Sequence, residues 1–163
     1  MPSQTLPTPP ASPAPSTSKP IPTRASLAVV GSLAVDITMH PFSTSPLQTT
    51  APGSVSLTLG GVAGNVSRAA HSLLQEDRTL LIAPIGADLL GNVAEKGLED
   101  SGMRVDGLIR VGAEEGWSTA TCGYLVDEKG ELVGGVADMK IAREVEGRKV
   151  SSVLFTRSKW IFR

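Results

Sequence analysis

The chain has 163 residues, a length that allows one ordinary domain with a buried core. Its net charge of −1 leaves no basic footprint for nucleic acid or for an anionic membrane, and no apolar run approaches the roughly 18 residues of a membrane-spanning helix. The single cysteine, Cys122, excludes an intrachain disulfide framework and a zinc site of several cysteines, so we expect a soluble cytoplasmic protein.

Residues 1–24 hold eight prolines and eight serines or threonines, and no acidic residue. Such a composition can neither form a helix nor bury a core, and it predicts a disordered, partly polyproline tail. An organelle-targeting peptide is the minority alternative, since the proline density is incompatible with an amphipathic helix. We therefore place the folded domain at residues 25–163.

The first strand is predicted at residues 27–30, which are apolar at every position, as in a strand covered on both faces. Gly31-Ser32 ends this run, and Asp36 is the first acid in the chain. We expect Asp36 just beyond the carboxyl end of the strand, where open α/β sheets bind their ligands. It could accept sugar hydroxyls there, or serve only as a turn aspartate.

The next strand leads into a glycine-rich turn. Residues 41–53 carry loop-forming prolines, and residues 54–59 then alternate strictly, which predicts a half-buried strand of a small, exposed sheet. Its apolar face consists of Val55, Leu57 and Leu59.

The turn at residues 60–64 contains three glycines, which permit positive φ and a close approach of the backbone to a ligand. Asn65 follows at the N-cap or in the first turn of a helix. A helix N-terminus suits the oxygens of a sugar or an anion, although a plain strand-to-helix turn is the alternative. The apolar face of this helix is predicted to be Val66, Ala69, Ala70, Leu73 and Leu74.

A second apolar strand is predicted from Thr79 to Ile85, followed by Gly86-Ala87-Asp88 and another helix that Gly102 ends. We interpret the turn from Asp88 to Gly91 as a helix cap rather than a ligand site. This helix has its apolar face at Leu90, Val93, Ala94 and Leu98. The repeated order of strand, glycine turn and helix predicts α/β layering.

Two further strands are predicted at residues 107–112 and 117–126. A turn at 127–130 then makes a hairpin with residues 131–137, and a short polar helix follows to about Glu146. The apolar run in residues 150–162 predicts another buried strand in which the chain stops, which indicates a truncated domain.

Four motifs together resemble the PfkB family of carbohydrate and nucleoside kinases, also called ribokinase-like. Residues 29–36 look like the family's first strand with its substrate-binding aspartate, and residues 60–70 match its glycine pair followed by a helix-opening asparagine. Residues 85–91 match its G-x-D-x-x-G turn. Residues 118–121 and 127–131 look like its lid hairpin. The order and spacing of the four motifs are more specific than any one of them.

The resemblance extends over roughly residues 27–163 and favours one branch of the family. Val62 stands where ribokinases tend to carry a lysine, and Ala34 stands where they carry an asparagine, so a plain ribokinase is disfavoured. The string at 60–65 and the later Ala137-Asp138-Met139 are more similar to pseudouridine kinases.

The resemblance implies the N-terminal part of a three-layer α/β/α fold with a small β lid, truncated before the nucleotide-binding half. It also implies transfer of the γ-phosphoryl group of ATP, with Mg²⁺, to a hydroxyl of a sugar or nucleoside, and a possible homodimer through the lid. The substrate residues it implies are Asp36, Gly60, Gly61, Asn65, Thr119 and Thr121.

The family's catalytic aspartate belongs to a C-terminal G-A-G-D motif, which is absent from these 163 residues. We therefore expect the base and the ATP site beyond residue 163, and no turnover by this chain alone. The alternative is a non-catalytic fragment that binds a sugar or nucleoside, or docks on a partner. A dinucleotide-binding domain is disfavoured because the glycines do not fit G-x-G-x-x-G.

Overall fold

The computed structural model describes residues 25–43, 49–74, 78–112 and 116–145. Within these residues, seven strands form two sheets, and three helices accompany them. In chain order, the elements are β1 Leu27–Val30, β2 Ala34–Pro41, β3 Gly53–Gly60, α1 Val62–Leu74, β4 Thr79–Gly86, α2 Leu89–Asp100, β5 Leu108–Val111, β6 Thr121–Val126, β7 Leu132–Asp138 and α3 Lys140–Val145.

The central sheet is parallel, with the order β1-β4-β5. All eight residues of β4 are buried, as expected for the middle strand of a sheet that is covered on both faces. The predicted strands at 27–30 and 79–85 are therefore confirmed, and the strand predicted at 107–112 is observed as β5.

Helices cover both faces of the central sheet. Leu81 and Ile85 of β4 pack in one core cluster with Ala63 of α1 and Leu98 of α2. The alternate β4 side chains pack on the opposite face in a second cluster, which contains Ile141 of α3. This arrangement confirms the predicted three-layer α/β/α fold.

The second sheet, which we call the lid, has the order β3-β2-β6-β7. Strand β2 is antiparallel to β3 and parallel to β6, and β6 and β7 form the predicted antiparallel hairpin. Leu59 joins the lid to the core, since a Cβ at Gly97 of α2 would lie 3.0 Å from its Cδ1 atom. Val55 and Leu57 are exposed, so the prediction of a half-buried apolar face holds for Leu59 and was wrong for these two residues.

Asp36 does not lie beyond the end of the first strand, as the sequence had suggested. It lies inside β2, where it pairs with Thr58 of β3 and Cys122 of β6. The reason is that Gly31-Ser32 ends one strand of the central sheet and the chain then enters a different sheet.

Helix α1 begins at Val62, which puts Asn65 in its first turn, but its predicted apolar face was wrong. Leu73 is 81% exposed and Val66 is 49% exposed. The buried residues are instead Ala63, Gly64 and Ser67. A Cβ at Gly64 would lie 3.0 Å from Leu33 Cδ1, so the helix approaches the core closely and only small side chains fit on that side.

Helix α2 follows its sequence prediction. Ala94 and Leu98 are buried, and Gly102 adopts φ of 73° directly after the C-cap. The Gly102 and Met103 N–H groups donate to the carbonyls of Glu99 and Leu98, at 2.9 and 3.0 Å, which is a Schellman motif.

The predicted tail at residues 1–24 and the predicted strand within residues 150–162 lie outside the described residues. Within the described ranges, no helix is both long and apolar enough to span a bilayer.

Candidate functional site

The turn between β3 and α1 packs against the carboxyl end of β1. Gly61 has φ of 82°, and a Cβ at this position would lie 2.5 Å from the Ser32 carbonyl oxygen. The Ser32 hydroxyl accepts a hydrogen bond from the Val62 N–H at 3.2 Å, and the Ser32 carbonyl accepts one from the Gly64 N–H at 3.1 Å. Ser32 therefore caps α1 from a distant part of the chain, a role that the sequence alone did not reveal.

Asp36 and Gly60 are in direct contact. A Cβ at position 60 would overlap both carboxylate oxygens of Asp36, so the carboxylate lies over the Gly60 backbone. The absence of a side chain at Gly60 thus makes room for the acid. This is the clearest case in which the structure brings together residues that were predicted to form one site.

Asn65 is exposed in the first turn of α1, immediately after this contact. Its Oδ1 atom accepts a hydrogen bond of 2.7 Å from Arg68 Nη2. Because a carboxamide has one acceptor oxygen and one NH₂ group, the NH₂ group remains as the donor toward a bound molecule. Arg68 was not predicted as part of this site.

The lid has one face lined with polar side chains, which we call the polar face. Paired residues on neighbouring strands point to the same side, and Asp36 pairs with Thr58 and Cys122 while Thr38 pairs with Ser56 and Tyr124. The strict alternation at residues 54–59 already indicated that Ser56 and Thr58 share one face of their strand. The sequence could not show that β2 pairs with this strand and with β6. The polar face comprises Asp36, Thr38, Ser56, Thr58, Cys122 and Tyr124.

Cys122 and Asp36 influence the ionisation of Tyr124 on this face. A hydrogen bond with the Cys122 side chain is the largest cause that raises the pKa of Tyr124 above its ordinary value of 10.0, and electrostatic interaction with Asp36 raises it further. The phenol is therefore neutral at pH 7 and can donate a hydrogen bond.

Thr119, a predicted substrate residue, is buried beside the cap of α2. Its hydroxyl donates to Asp88 Oδ1 at 2.6 Å and accepts from the Gly86 N–H at 2.9 Å, and its own N–H donates to Asp88 Oδ2 at 2.7 Å. Asp88 also accepts from the Gly91 N–H at 2.7 Å, which confirms the predicted cap.

The pKa of Asp88 is the balance of two opposing effects. Partial burial by itself raises it, but the hydrogen bonds from Thr119 and Gly91 outweigh burial and lower the pKa below its ordinary value of 3.8. Asp88 thus holds the segment that leads into β6 against the start of α2.

Thr121 lies on the opposite side of the lid from Asp36. It pairs with Val35, whereas Asp36 pairs with the next residue of β6, and its hydroxyl donates to the Thr119 carbonyl at 2.9 Å. The structure therefore brings Asp36 and Gly60 together with the Gly61–Asn65 turn and places Thr119 and Thr121 elsewhere. Substrate roles for these two threonines stay predictions.

The described residues contain no group of three or more histidines, cysteines and acids that could hold a metal ion. We assign no residue to Mg²⁺ or to the phosphates of ATP, and we derive no step of a reaction through either group.

Several solved structures share this fold, and three of them illustrate the similarity. A protein from Clostridium perfringens that is named as a sugar kinase is 24% identical, with a TM-score of 0.69 over 82% of this chain and 41% of its own. Ribokinase from Giardia lamblia is 19% identical, with a TM-score of 0.63 over 84% of this chain and 39% of its own. Fructokinase from Xylella fastidiosa with bound ATP is 19% identical, with a TM-score of 0.54 over 72% of this chain and 34% of its own.

The chain thus spans about 40% of the length of the first two of these kinases. None of the curated proteins matches it. The family described as pfkB family carbohydrate kinase matches residues 24–140, which is more than half of the chain. The chain therefore belongs to the pfkB family of carbohydrate kinases.

Proposed function

We propose that this chain is the acceptor-binding and lid portion of a kinase that transfers the γ-phosphoryl group of ATP to a hydroxyl of a sugar or nucleoside. One observation carries the proposal: the Asp36 carboxylate lies over Gly60, on the polar face of the lid and beside the N-terminus of α1. Asp36 would accept hydrogen bonds from sugar hydroxyls. The Asn65 NH₂ group would donate to another sugar oxygen.

The geometry suits positioning of an acceptor rather than its activation. Phosphoryl transfer requires an oriented acceptor, neutralisation of the phosphate charge and a group that receives the hydroxyl proton. Asp36 and Asn65 serve the first requirement. We propose that the other two, with ATP and Mg²⁺, belong to the remaining part of such a kinase, and that this chain does not turn over ATP by itself.

Pseudouridine is the acceptor that we propose first. The support is the similarity of the string at 60–65, and of Ala137-Asp138-Met139, to pseudouridine kinases. A panel of pseudouridine, adenosine, fructose and ribose would rank the acceptors.

The face of the lid opposite the polar face leads us to propose a homodimer. Val55 and Leu57 on β3, Leu125 on β6 and Val136 on β7 are exposed apolar side chains of one sheet. Size-exclusion chromatography with light scattering should give twice the mass of one chain, and Leu57→Lys should give a monomer because it places a charge in the apolar contact. A monomeric unsubstituted chain would contradict the dimer.

Isothermal titration with D-ribose and pseudouridine tests the acceptor site. We expect saturable binding without ATP, and a loss of about tenfold or more in Asp36→Asn, since a hydrogen bond to a charged group contributes about 1.5–3 kcal/mol. Asp127→Asn is the matched control. It removes the same charge from the hairpin turn, where the Asp127 carboxylate accepts from the Lys129 and Glu131 N–H groups of its own turn.

The second candidate function is a non-catalytic module that binds a sugar and docks on a partner. The exposed apolar side chains of the lid and of α1 favour it. Adding the remaining portion of a family kinase in trans separates the two candidates, because ATP turnover is expected only if this chain acts as the acceptor-binding portion of a kinase.

A further inference from the structure

Tyr124 stands apart from the other residues of the polar face. The four lid strands contain one residue among phenylalanine, tyrosine and tryptophan, and it is Tyr124. A Cβ at Gly135 on β7 would lie 3.2 and 3.7 Å from Cδ1 and Cε1 of the tyrosine ring. The ring therefore lies over the bare backbone of Gly135, and it is only half-buried.

The position of Tyr124 relative to Asp36 is fixed by the strand register. Asp36 pairs with Cys122, so Tyr124 is two residues further along the neighbouring strand and on the same face. Strand spacing and rise place the two Cα atoms roughly 8 Å apart. Electrostatic coupling between the Tyr124 phenol and the Asp36 carboxylate agrees with this proximity.

We propose that Tyr124 is a specificity-determining residue: its ring is the platform on which the planar aglycone of a nucleoside stacks while Asp36 holds the sugar hydroxyls. The inference rests on the proposed function, because it takes Asp36 as the sugar-binding residue. Offset stacking of an aromatic base on a tyrosine ring favours binding without reading the identity of the base. The acceptor class is thus a glycoside with an aromatic aglycone rather than a free sugar.

The alternative role for Tyr124 is purely structural, since its ring shields the Gly135 backbone. A structural role predicts that removing the ring disturbs the lid and weakens every ligand equally. A stacking role predicts a selective loss for ligands that carry an aromatic ring. The two roles are therefore separated by a pair of ligands that share the same sugar.

Titration of the full chain with uridine and with methyl β-D-ribofuranoside makes this comparison. We expect uridine to bind at least about fivefold more tightly, the lower limit for base stacking on an aromatic side chain. Tyr124→Phe should keep this preference. Tyr124→Leu, which still covers Gly135, should abolish it and leave the affinity for the methyl riboside within about twofold. Phe42→Ala, which removes an exposed aromatic at the far end of β2, should behave as the unsubstituted chain.

The tyrosine itself supplies a second readout, because the chain contains a single tyrosine. With isotope-labelled tyrosine, uridine should shift the one set of ring resonances and the methyl riboside should leave them in place. Equal affinity of the unsubstituted chain for both ligands, or equal losses for both in Tyr124→Leu, would overturn the inference and leave the sugar-binding proposal intact. Binding of neither ligand would overturn both.

Discussion

The central sheet and the lid differ in how deeply their strands are buried, although the same chain forms both. Every residue of β4 is buried between helices, whereas every residue of β7 in the lid is exposed. The central sheet therefore owes its stability to packed apolar side chains, while the lid depends mainly on strand pairing and on its junctions with the core. The residues that stabilise the chain and the residues that we propose to bind a ligand therefore lie in separate regions.

The largest effect is expected from shortening a core side chain. Leu81 of β4 is 0% exposed, and Leu81→Ala should lower the free energy of unfolding by about 2–5 kcal/mol because it leaves a cavity. Leu132→Ala makes the same change in the lid, at a residue that is 64% exposed and lies outside the proposed dimer contact, and should change it by less than about 0.5 kcal/mol. Urea denaturation measures both, and equal losses would contradict the division between the two regions.

The next largest effect should come from the turn that joins the lid to α1. Gly61 and Gly130 both have φ of 82°. A Cβ at Gly61 would meet the Ser32 backbone, whereas no atom of the described residues lies within 4 Å of a Cβ at Gly130. Gly130→Ala should cost about 1–2 kcal/mol for the positive φ alone. Gly61→Ala should cost about 1–3 kcal/mol more, because the added Cβ forces Ser32 to move. Equal decreases in the denaturation midpoint for Gly61→Ala and Gly130→Ala would show that the close approach of Gly61 to Ser32 does not contribute to stability.

A somewhat smaller effect is expected at the clamp between Asp88 and Thr119. In Asp88→Asn, one oxygen can still accept from Gly91, but the NH₂ group then faces the Thr119 N–H, so we expect a loss of about 2 kcal/mol. Asp100→Asn removes the same charge from an exposed ion pair with Lys96 and should cost less than about 0.5 kcal/mol. A loss in Asp88→Asn no greater than this control would refute the clamp.

The smallest effect is a pH dependence of this same clamp. Because folding lowers the pKa of Asp88 below 3.8, the ionised carboxylate stabilises the folded chain above about pH 4, and this stability is lost as pH falls through the lowered pKa. The difference in urea midpoint between the unsubstituted chain and Asp88→Asn should therefore narrow from about pH 5 to about pH 3, a range that spans the ordinary pKa of an aspartate. A constant difference would show that Asp88 is not ionised in its clamp.

The same contrast between regions explains what the sequence could predict. Residues 79–85 and the α2 face were predictable because the core selects apolar side chains at a regular period. The face of α1 was not, because close packing against Leu33 selects small residues rather than apolar ones. The order of residues along the chain does not show which strands pair. The place of Asp36 inside β2, and the position of Tyr124 near Asp36 on the neighbouring strand, could therefore not be predicted.

We propose that the acceptor binds where the polar face of the lid meets the start of α1. Amide chemical-shift mapping of the labelled chain with D-ribose tests this most directly. We expect saturable shifts at Asp36, Thr58 and the Gly60–Asn65 turn, which disappear in Asp36→Asn, while the hairpin turn at 127–130 stays unchanged. Shifts confined to that hairpin turn, or shifts that survive in Asp36→Asn, would contradict it.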